Sequence, residues 1–422
     1  MGALERKDFL ACIHCGLCLE ACPTYRETLD EGESARGRIA LLKSLALSEL
    51  TPDADAARAL ADCVLCASCQ AACPSGIGYE WLMARARTHL GGAQPSGRER
   101  RWLRRWWTLF RRPRQLALTL RLVRWAAGTG LAGLGVRLFF PRPHQAHYLD
   151  LVASVRASAG QPRRPRVKRR ADEAADVLIF AGCVTPVVFP QVLAALESVL
   201  KKAGVSCAMP RQQVCCGAIH FHTGDLAGAR ALARRNIAAF EAAGEGPVVV
   251  EAAGCAAALK EYGELLADDP DFAERARAFA ARVRDATEYL AALRGPAAPG
   301  AAPAETTRVV YQDACHLRHL QGIVDAPRDL LDRLPGVTRM AAAEEDLCCG
   351  SGGVFNLLRP SLAARLGERK AEVLAASGAE IAVTTNPGCR VQLEGRLRRR
   401  GIGMLHLIEV CDRHWGAPAA DR

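Results

Sequence analysis

Residues 12–23 read C-I-H-C-G-L-C-L-E-A-C-P, and residues 63–74 read C-V-L-C-A-S-C-Q-A-A-C-P. Both stretches fit C-x2-C-x2-C-x3-C-P, a spacing in which three thiolates hold one 4Fe-4S cluster while the fourth cysteine reaches across to the other cluster. The sequence therefore predicts two 4Fe-4S clusters. The first is expected on Cys12, Cys15, Cys18 and Cys73. The second is expected on Cys63, Cys66, Cys69 and Cys22.

Zinc is the main alternative to iron and sulfide at these cysteines. Structural zinc sites usually take their ligands from two separated C-x2-C pairs, not from three cysteines within seven residues followed by C-P. The spacing, present in two complete copies, therefore favours iron-sulfur clusters. Small residues inside the loops, such as Gly16 and Ala67, leave backbone N–H groups free to approach the sulfurs.

Length and composition place these motifs in a larger protein. The chain has 422 residues, half of them hydrophobic, and 18 cysteines, so two or three ordered domains are expected. Its first residues lack the apolar segment of a secretory signal, and the cysteines are therefore expected to be reduced. No uncharged apolar run is long enough for a membrane-spanning helix.

The predicted fold class is α+β multidomain, with a helical ferredoxin-like module followed by a duplicated α/β cysteine-rich domain. A Gly/Pro/Ala stretch, Gly295 to Ala304, serves as a linker inside the duplicated part. The expected divisions are a 4Fe-4S domain at 1–95, a basic connector with one or two helices at 96–172, a first cysteine-rich repeat at 173–294 and a second at 305–422.

The evidence for duplication is a repeated order of strands and cysteines. In each copy a β-branched strand leads to a cysteine, a Cys-Cys-Gly follows, and a second strand leads to a fourth cysteine. The copies are offset by 132 to 134 residues, which favours gene duplication. The first set is Cys183, Cys215, Cys216 and Cys255, and the second is Cys315, Cys348, Cys349 and Cys389.

These eight cysteines are further candidate metal ligands, enough for one or two additional iron-sulfur clusters. Open α/β sheets place ligands at the carboxyl ends of their strands, where two cysteines of each set are expected. The alternative is that they are small core residues, which an adjacent Cys-Cys pair repeated in register fits poorly. For Cys207 and Cys411, which lie outside the pattern, the core interpretation is preferred.

Four histidines lie close to these cysteines in the sequence: His220, His222, His316 and His319. They could ligate a cluster or carry protons to an acceptor. An equally good interpretation is that they are capping residues or hydrogen-bond partners of ligands.

The connector is strongly basic. Residues 98–170 contain 19 Lys and Arg against two acidic residues, so this segment carries +17 in a chain of net charge +11. Arginines alternate there with Trp102, Trp106, Trp107, Phe110 and Trp125. An anionic membrane surface and an acidic partner subunit remain equal alternatives for this segment. Nothing else supports recognition of bases or phosphates, so no nucleic acid partner is expected.

Together these motifs resemble the iron-sulfur subunit of bacterial glycolate oxidase, within a wider family that includes lactate-utilisation and heterodisulfide-reductase-like proteins with cysteine-rich CCG domains. The more specific matches are the residues after the first motif, T-Y-R and D-E-G-E-S-A-R-G-R-I, together with C-C-G-A-I-H-F-H and K-E-Y-G. The heterodisulfide-reductase domain has one further cysteine after the last of each repeat, where this chain has Ala258 and Gln392. An ordinary cluster, or none, is therefore the alternative to an unusual noncubane one.

The resemblance implies a subunit of an oxidoreductase complex of the glycolate dehydrogenase type. Flavin (FAD) 2-hydroxy-acid oxidase subunits would be its partners, and they would oxidise glycolate to glyoxylate, so no catalytic residue is expected on this chain. It would pass the electrons onward, with a quinone or a membrane-surface acceptor as one destination. The alternatives are a lactate dehydrogenase or heterodisulfide-reductase-like complex and, less favoured, a zinc-stabilised scaffold. The expected location is cytoplasmic, with a peripheral position on the inner face of the cell membrane left open.

Overall fold

The computed structural model describes residues 10–89, 97–159, 175–293 and 306–415. The described residues combine 62% helix with two parallel sheets, which confirms the predicted α+β class. Three stretches used in the sequence analysis lie outside the described residues: the first nine residues, the basic run from Gln161 to Arg170 and the linker from Gly295 to Ala304.

The cysteine-rich beginning of the chain folds into short helices. They are α1 Leu17–Ala21, α2 Pro23–Thr28, α3 Ala35–Ala46, α4 Ala54–Ala61, α5 Ser68–Ala71 and α6 Tyr79–His89, with a 3-10 turn at Glu31–Glu33. Side-chain caps start the longer helices, because Ser34 Oγ accepts a hydrogen bond from the Gly37 N–H and Asp53 accepts one from the Ala56 N–H. Their apolar faces enclose a core of Leu42, Leu60, Met83 and the cysteine loops.

The connector forms four helices where the sequence indicated one or two. They are α7 Gly97–Arg111, α8 Pro113–Thr129, α9 Leu131–Phe139 and α10 Arg142–Ala159. Pro113 starts α8, and Gly130, with φ of 86°, ends it in the left-handed conformation. These two residues separate α8 from α7 before it and from α9 after it. Helix α7 packs on the first repeat, where the Trp107 Nε1–H donates to Thr223 Oγ1 over 2.7 Å.

Each repeat contains a four-stranded parallel sheet with the same topology. The first sheet has the order β2-β1-β3-β4, and the second has the order β6-β5-β7-β8. The strands are β1 Val177–Phe180, β2 Cys207–Ala208, β3 Val248–Val250, β4 Val283–Asp285, β5 Thr307–Tyr311, β6 Val337–Met340, β7 Ile381–Thr384 and β8 Gly403–His406. The four strands that the sequence analysis identified are the central pair of each sheet, β1 with β3 and β5 with β7.

Helices cover both faces of the sheets. In the first repeat they are α11 Thr185–Val188, α12 Pro190–Lys202, α13 Ala218–His222, α14 Leu226–Glu241, α15 Ala253–Lys260, α16 Tyr262–Leu265, α17 Ala273–Arg282 and α18 Ala286–Ala292. In the second they are a π-helix at His316–Leu320, then α19 Asp325–Arg333, α20 Phe355–Leu358, α21 Pro360–Ala375, α22 Pro387–Arg398 and α23 Leu407–His414. Within the described residues, none of the helices is both long and apolar enough to cross a membrane.

The two repeats share one hydrophobic core and bring the carboxyl ends of their strands together. Val249 of the first sheet and Val383 of the second lie in the same buried cluster, with Leu196 from α12 and Ile408 from α23. Just beyond β3 and β7, the Ala253 N–H donates to the Thr385 carbonyl over 3.0 Å. Groups carried at the carboxyl ends of the two sheets are therefore close to one another.

Helix α10 of the connector is fixed to α22 of the second repeat at close range. The Gly395 N–H donates to Ser154 Oγ over 2.8 Å. A Cβ atom at Gly395 would lie 2.3 Å from the Asp150 carbonyl oxygen, so the contact requires glycine. Ser154 is fully buried in this interface.

We expect Gly395→Ala to lower the stability of the protein by roughly 1–3 kcal/mol, because α10 has to move away from α22 to admit the methyl group. Gly135→Ala is the matched control, since a Cβ at Gly135 meets no atom within 4 Å. In the interior of α9 this second change is expected to be neutral or to stabilise by up to about 1 kcal/mol. Thermal unfolding of both variants measures the difference, and equal midpoints would contradict the close packing.

Candidate metal centres

The two ferredoxin-type loops have the same unusual backbone. His14 and Leu65, at equivalent positions, have φ of 55° and 58°, and Gly16 and Ala67 have φ of 86° and 59°. Three of these four residues are not glycine, so the left-handed conformation is strained there and has to be held by its surroundings. Such clustered strain is typical of loops that wrap a ligand.

The four cysteines expected for the first cluster come together. Cys12, Cys15, Cys18 and Cys73 line one cavity, which Cys69 also borders. Cys15 is exposed, whereas the other three are partly buried. The first motif and the distant Cys73 therefore share one site, as the crossed spacing predicts.

The second set is buried deeper. Burial raises the pKa of the Cys69 thiol well above its usual range, and the charges of Cys63, Cys22 and Cys18 raise it further. Cys22 and Cys63 are themselves buried. Cys22 thus lies with cysteines of the second motif, and Cys69 lies between the two expected sites.

Cys66 is turned toward a different part of the chain. It is packed with Cys348 of the second repeat, and the interaction with Cys348, followed by burial and the charge of Cys315, raises the pKa of Cys66 well above the ordinary value. Of the neighbouring cysteines, Cys348 and Cys315 raise the pKa of Cys66 more than Cys69 of its own motif does. The second ferredoxin-type site therefore borders the second repeat directly.

The four cysteines of the second repeat form one buried group. Cys349 Sγ lies 3.2 Å from Cys389 Sγ. The Cys348 thiol is hydrogen-bonded to Cys315, Cys349 and Cys66, and these bonds hold its pKa well below the usual range. Gly350 is required in the turn that follows, since its φ is 78° and a Cβ would lie 2.8 Å from the Cβ of Leu366.

The first repeat gathers its cysteines in the same way. Cys183 Sγ and Cys215 Sγ are 3.7 Å apart. Hydrogen bonds from Cys215 and Cys255 hold the pKa of Cys216 well below its usual range. Gly217, with φ of 88°, matches Gly350. All eight cysteines singled out in the repeats thus lie in two groups of four.

The two cysteines left outside the pattern are in the hydrophobic core. Cys411 is fully buried within the cluster that joins the two repeats, and burial raises its pKa to about 12. Cys207 packs against the same cluster at the edge of the first sheet. Neither thiol lies in one of the groups of four.

Buried cations next to the cysteines were not singled out from the sequence. Arg38 is 1% exposed and donates hydrogen bonds to Thr24 Oγ1 and the Ala59 carbonyl. Burial opposes its charge, but the nearby Cys63 thiol and Tyr79 raise its pKa. Arg38 lies in the R-G-R-I run that carried part of the resemblance, so the sequence contained this clue.

Lys370 is a second buried basic residue, beside the cysteines of the second repeat. It is fully buried and donates to the Glu345 carbonyl over 2.6 Å. Burial lowers its pKa, and the charges of Asp313 and Cys349 counteract that effect. The equivalent residue of the first repeat is Asn236, 134 residues earlier, which donates to the Cys215 carbonyl. The two repeats therefore differ in charge next to their cysteines.

Only two of the four histidines come together. His316 Nε2 lies 3.3 Å from His222 Nε2. His220 Nδ1 is instead 2.7 Å from Asp225 Oδ2, the side chain that caps α14, so its role is structural. His319 is not part of the pair and lies toward Asp346 and Cys348.

The donor set fits iron-sulfur clusters. The eight repeat thiols form two groups of four, and Cys12, Cys15, Cys18 and Cys73 line one cavity. Cys22, Cys63 and Cys69 lie together, with Cys66 facing the second repeat. All eighteen cysteines are free of disulfide bonds in the described parts of the chain. Backbone N–H groups reach some of these sulfurs, as Gly350 N reaches Cys348 Sγ over 3.4 Å and Leu65 N reaches Cys63 Sγ over 3.4 Å. Each group has the sulfur ligands for one cluster.

Comparison with known families agrees with this arrangement. Residues 8–77 match the family described as 4Fe-4S dicluster domain. Residues 177–260 and 309–394 match the family described as Cysteine-rich domain, CCG. The chain therefore contains iron-sulfur clusters as its cofactors.

Curated relatives match almost the whole chain. A Bacillus subtilis (strain 168) protein named as a probable glycolate oxidase iron-sulfur subunit is 33% identical over 97% of this chain and 94% of its own length. The Escherichia coli (strain K12) glycolate oxidase iron-sulfur subunit is 32% identical over 97% of this chain and 95% of its own length. Lactate utilization protein A of Exiguobacterium sp. is 30% identical over 56% of this chain and 96% of its own length. This chain is thus an iron-sulfur electron-transfer protein, and it belongs to the family of glycolate oxidase iron-sulfur subunits.

Proposed function

We propose that this chain is the electron-transfer subunit of a flavin-dependent complex that oxidises glycolate to glyoxylate. The flavin subunits would carry the substrate site, and this chain would pass the electrons to a later acceptor. The family supports membership of an oxidoreductase complex. The extent of the match favours glycolate over lactate, because the glycolate oxidase subunits match 97% of the chain and the lactate utilization protein matches 56%.

The observation that carries this proposal is the order of the cysteine groups. The first group borders Cys69 of the second, and Cys66 of the second is packed with Cys348 in the second repeat. From there, His316 and His222 lead toward Cys216 in the first repeat. An uninterrupted series of this kind suits stepwise transfer of single electrons through the protein.

The protein's own contribution is to hold and tune these sites. When bound, the clusters supply one-electron carriers, while the two-electron oxidation belongs to the flavin. Lys370 places positive charge beside the buried cysteines of the second repeat, and Arg38, paired with Glu33, lies beside Cys63. A charge acts strongly in such buried surroundings. The exposed Cys15 gives the series one end at the surface, where a redox partner could approach.

The test of the proposal uses the full chain with and without its flavin partner. We expect glycolate to bleach the iron-sulfur absorption of the anaerobic complex, and to have no effect on this chain alone. Dithionite, which needs no flavin, should bleach both samples and serves as the control. Lactate should act more slowly by about tenfold or more, the discrimination that one methyl group gives in an apolar pocket. Faster bleaching with lactate would support the lactate alternative, and oxidation of glycolate by the isolated chain would contradict the proposal.

The repeats' cysteines can be tested as ligands separately from the ferredoxin-type sites. We expect Cys216→Ser and Cys349→Ser each to remove up to four irons per chain and alter the paramagnetic signals, since serine is a poor replacement for a thiolate ligand. Cys411→Ser is the control, because this thiol lies in the core and its replacement should cost only about 1–3 kcal/mol of stability. Unchanged iron content and spectra in both test variants would mean that the repeats hold no cluster and that the ferredoxin-type clusters are the redox cofactors of this chain.

Helices α8 and α9 carry an exposed apolar surface, which is relevant to where the complex lies in the cell. Leu118, Leu122 and Trp125 follow one another at helical spacing, and Trp125 is 60% exposed. On α9, Leu134, Leu138 and Phe139 continue the exposed apolar surface, with Phe139 83% exposed. We call these six residues the apolar face. Of the aromatic residues expected on such a surface, Trp125 belongs to the apolar face, whereas Trp106 and Phe110 pack against the first repeat.

We propose that the apolar face binds an anionic membrane surface. Arg121 and Arg137 are exposed on the same two helices, and residues 100–149 contain no Asp or Glu. Basic residues near an anionic bilayer add about 1 kcal/mol each, and buried Leu or Phe side chains add about 1.5–3 kcal/mol each. This composition suits a helix pair lying in the membrane interface better than a contact with an acidic protein, which needs no large apolar area.

We expect the doubly changed variant Leu122→Glu with Phe139→Glu to lose vesicle binding by about tenfold or more, without loss of iron. The measurement is cosedimentation with vesicles containing phosphatidylglycerol, compared with purely zwitterionic vesicles. Leu50→Glu, which changes an exposed leucine of the N-terminal module, is the control. Equal binding of all three proteins would contradict the membrane proposal, and loss of the flavin partner instead of the vesicles would favour protein docking.

A further inference from the structure

A second kind of polar site lies where the three parts of the chain meet. Glu80 is on α6 of the N-terminal module, His222 ends α13 of the first repeat, and His316 begins the π-helix of the second repeat. One atom of each side chain lies within 4.8 Å of the corresponding atoms of the other two. We call these residues the junction triad.

Two of the distances within the junction triad match shared coordination of one metal ion. His222 Nε2 lies 3.3 Å from His316 Nε2 and 3.5 Å from Glu80 Oε1. Charge-assisted N–H···O bonds are usually about 2.7–2.9 Å long, so the contact with the carboxylate is too long for one. Two ligands bound tetrahedrally at about 2.0–2.1 Å from a metal are roughly 3.3 Å apart, which matches both contacts.

The triad contains a buried carboxylate, and the nearby guanidinium of Arg87 donates to the His222 carbonyl. Glu80 is 6% exposed, and in the described parts of the chain no lysine or arginine forms an ion pair with it. A second carboxylate, Glu261, is close enough for the charge of Glu80 to contribute to raising its pKa, after burial.

The surroundings prepare His316 to act as a ligand. Its Nδ1 lies 3.3 Å from Cys315 Sγ, so a proton on Nδ1 can be donated to the sulfur. That tautomer leaves the lone pair of Nε2 directed at His222. His316 is the first residue of a π-helix, a rare conformation that occurs mostly at functional sites.

We propose that Glu80, His222 and His316 bind one divalent transition-metal cation, Zn²⁺ or Fe²⁺, separate from the iron-sulfur clusters. Two imidazoles and one carboxylate are a common ligand set for both ions. The triad also borders a cavity lined by Cys216 and Tyr262, which leaves room for a further small ligand. The cation would join the N-terminal module to both repeats between the two groups of repeat cysteines.

Metal analysis of the full chain purified anaerobically tests this site. Iron and acid-labile sulfide are equal in 4Fe-4S clusters, so sulfide reports the cluster iron independently. After incubation with Zn²⁺ or Fe²⁺ and gel filtration, we expect about one zinc per chain, or about one iron in excess of sulfide. Glu80→Gln, His222→Gln and His316→Gln should each lose this extra metal.

Two variants outside the junction triad provide matched controls, one on α6 and one on α16. His89→Gln and Glu264→Gln change an exposed histidine and an exposed carboxylate outside the triad, and both should keep the metal. Because His316 adjoins Cys315, its variant could also lose sulfide, and Glu80→Gln then decides the matter with its clusters intact. The proposal is overturned if wild-type protein holds no metal beyond the iron that sulfide accounts for, or if Glu80→Gln retains the extra metal.

Discussion

The packing of one cysteine loop against one turn holds the redox part of this protein together. Val64 and Cys66 of the N-terminal module are buried with Cys348, Phe355 and Leu366 of the second repeat. Gly352 makes the approach possible, because its φ is 47° and a Cβ there would lie 3.0 Å from the Val64 carbonyl oxygen. Without this contact the ferredoxin-type sites and the repeat sites would be separate centres on one chain, and no continuous route would join them.

Much of the fold could be predicted because its determinants are local. Runs of β-branched residues ending in cysteine identified the central strands, and the C-x2-C-x2-C-x3-C-P spacing identified the paired loops. The predicted number of connector helices was wrong, because three breaks, at Pro113, Gly130 and Pro141, separate four helices. The neighbours of Cys66 could not be predicted, since they depend on a contact between segments almost 300 residues apart.

The junction triad could not be predicted from the sequence, because its members are distant from one another in the chain. His222 and His316 were singled out for their closeness to cysteines, but Glu80 stands in an ordinary amphipathic helix with nothing nearby in sequence to mark it. Its significance comes from burial beside two histidines, with no ion pair to lysine or arginine among the described residues, and only the assembled structure shows this. Lys370 and Asn236, at equivalent positions of the two repeats, are a similar case. The duplication was visible in the sequence. The difference in charge beside the two cysteine groups became evident only once the structure showed which side chains are buried there.

The burial of the second cysteine loop also sets an order of events during biogenesis. Val64 and Cys66 are covered by the second repeat, and Cys63 and Cys69 are buried too, while Cys15 of the first loop stays exposed. Maturation factors that deliver iron and sulfide therefore have to reach the second loop before the domains close over it. The first loop stays open to later repair, and it is also the one that oxygen would reach first in the finished protein.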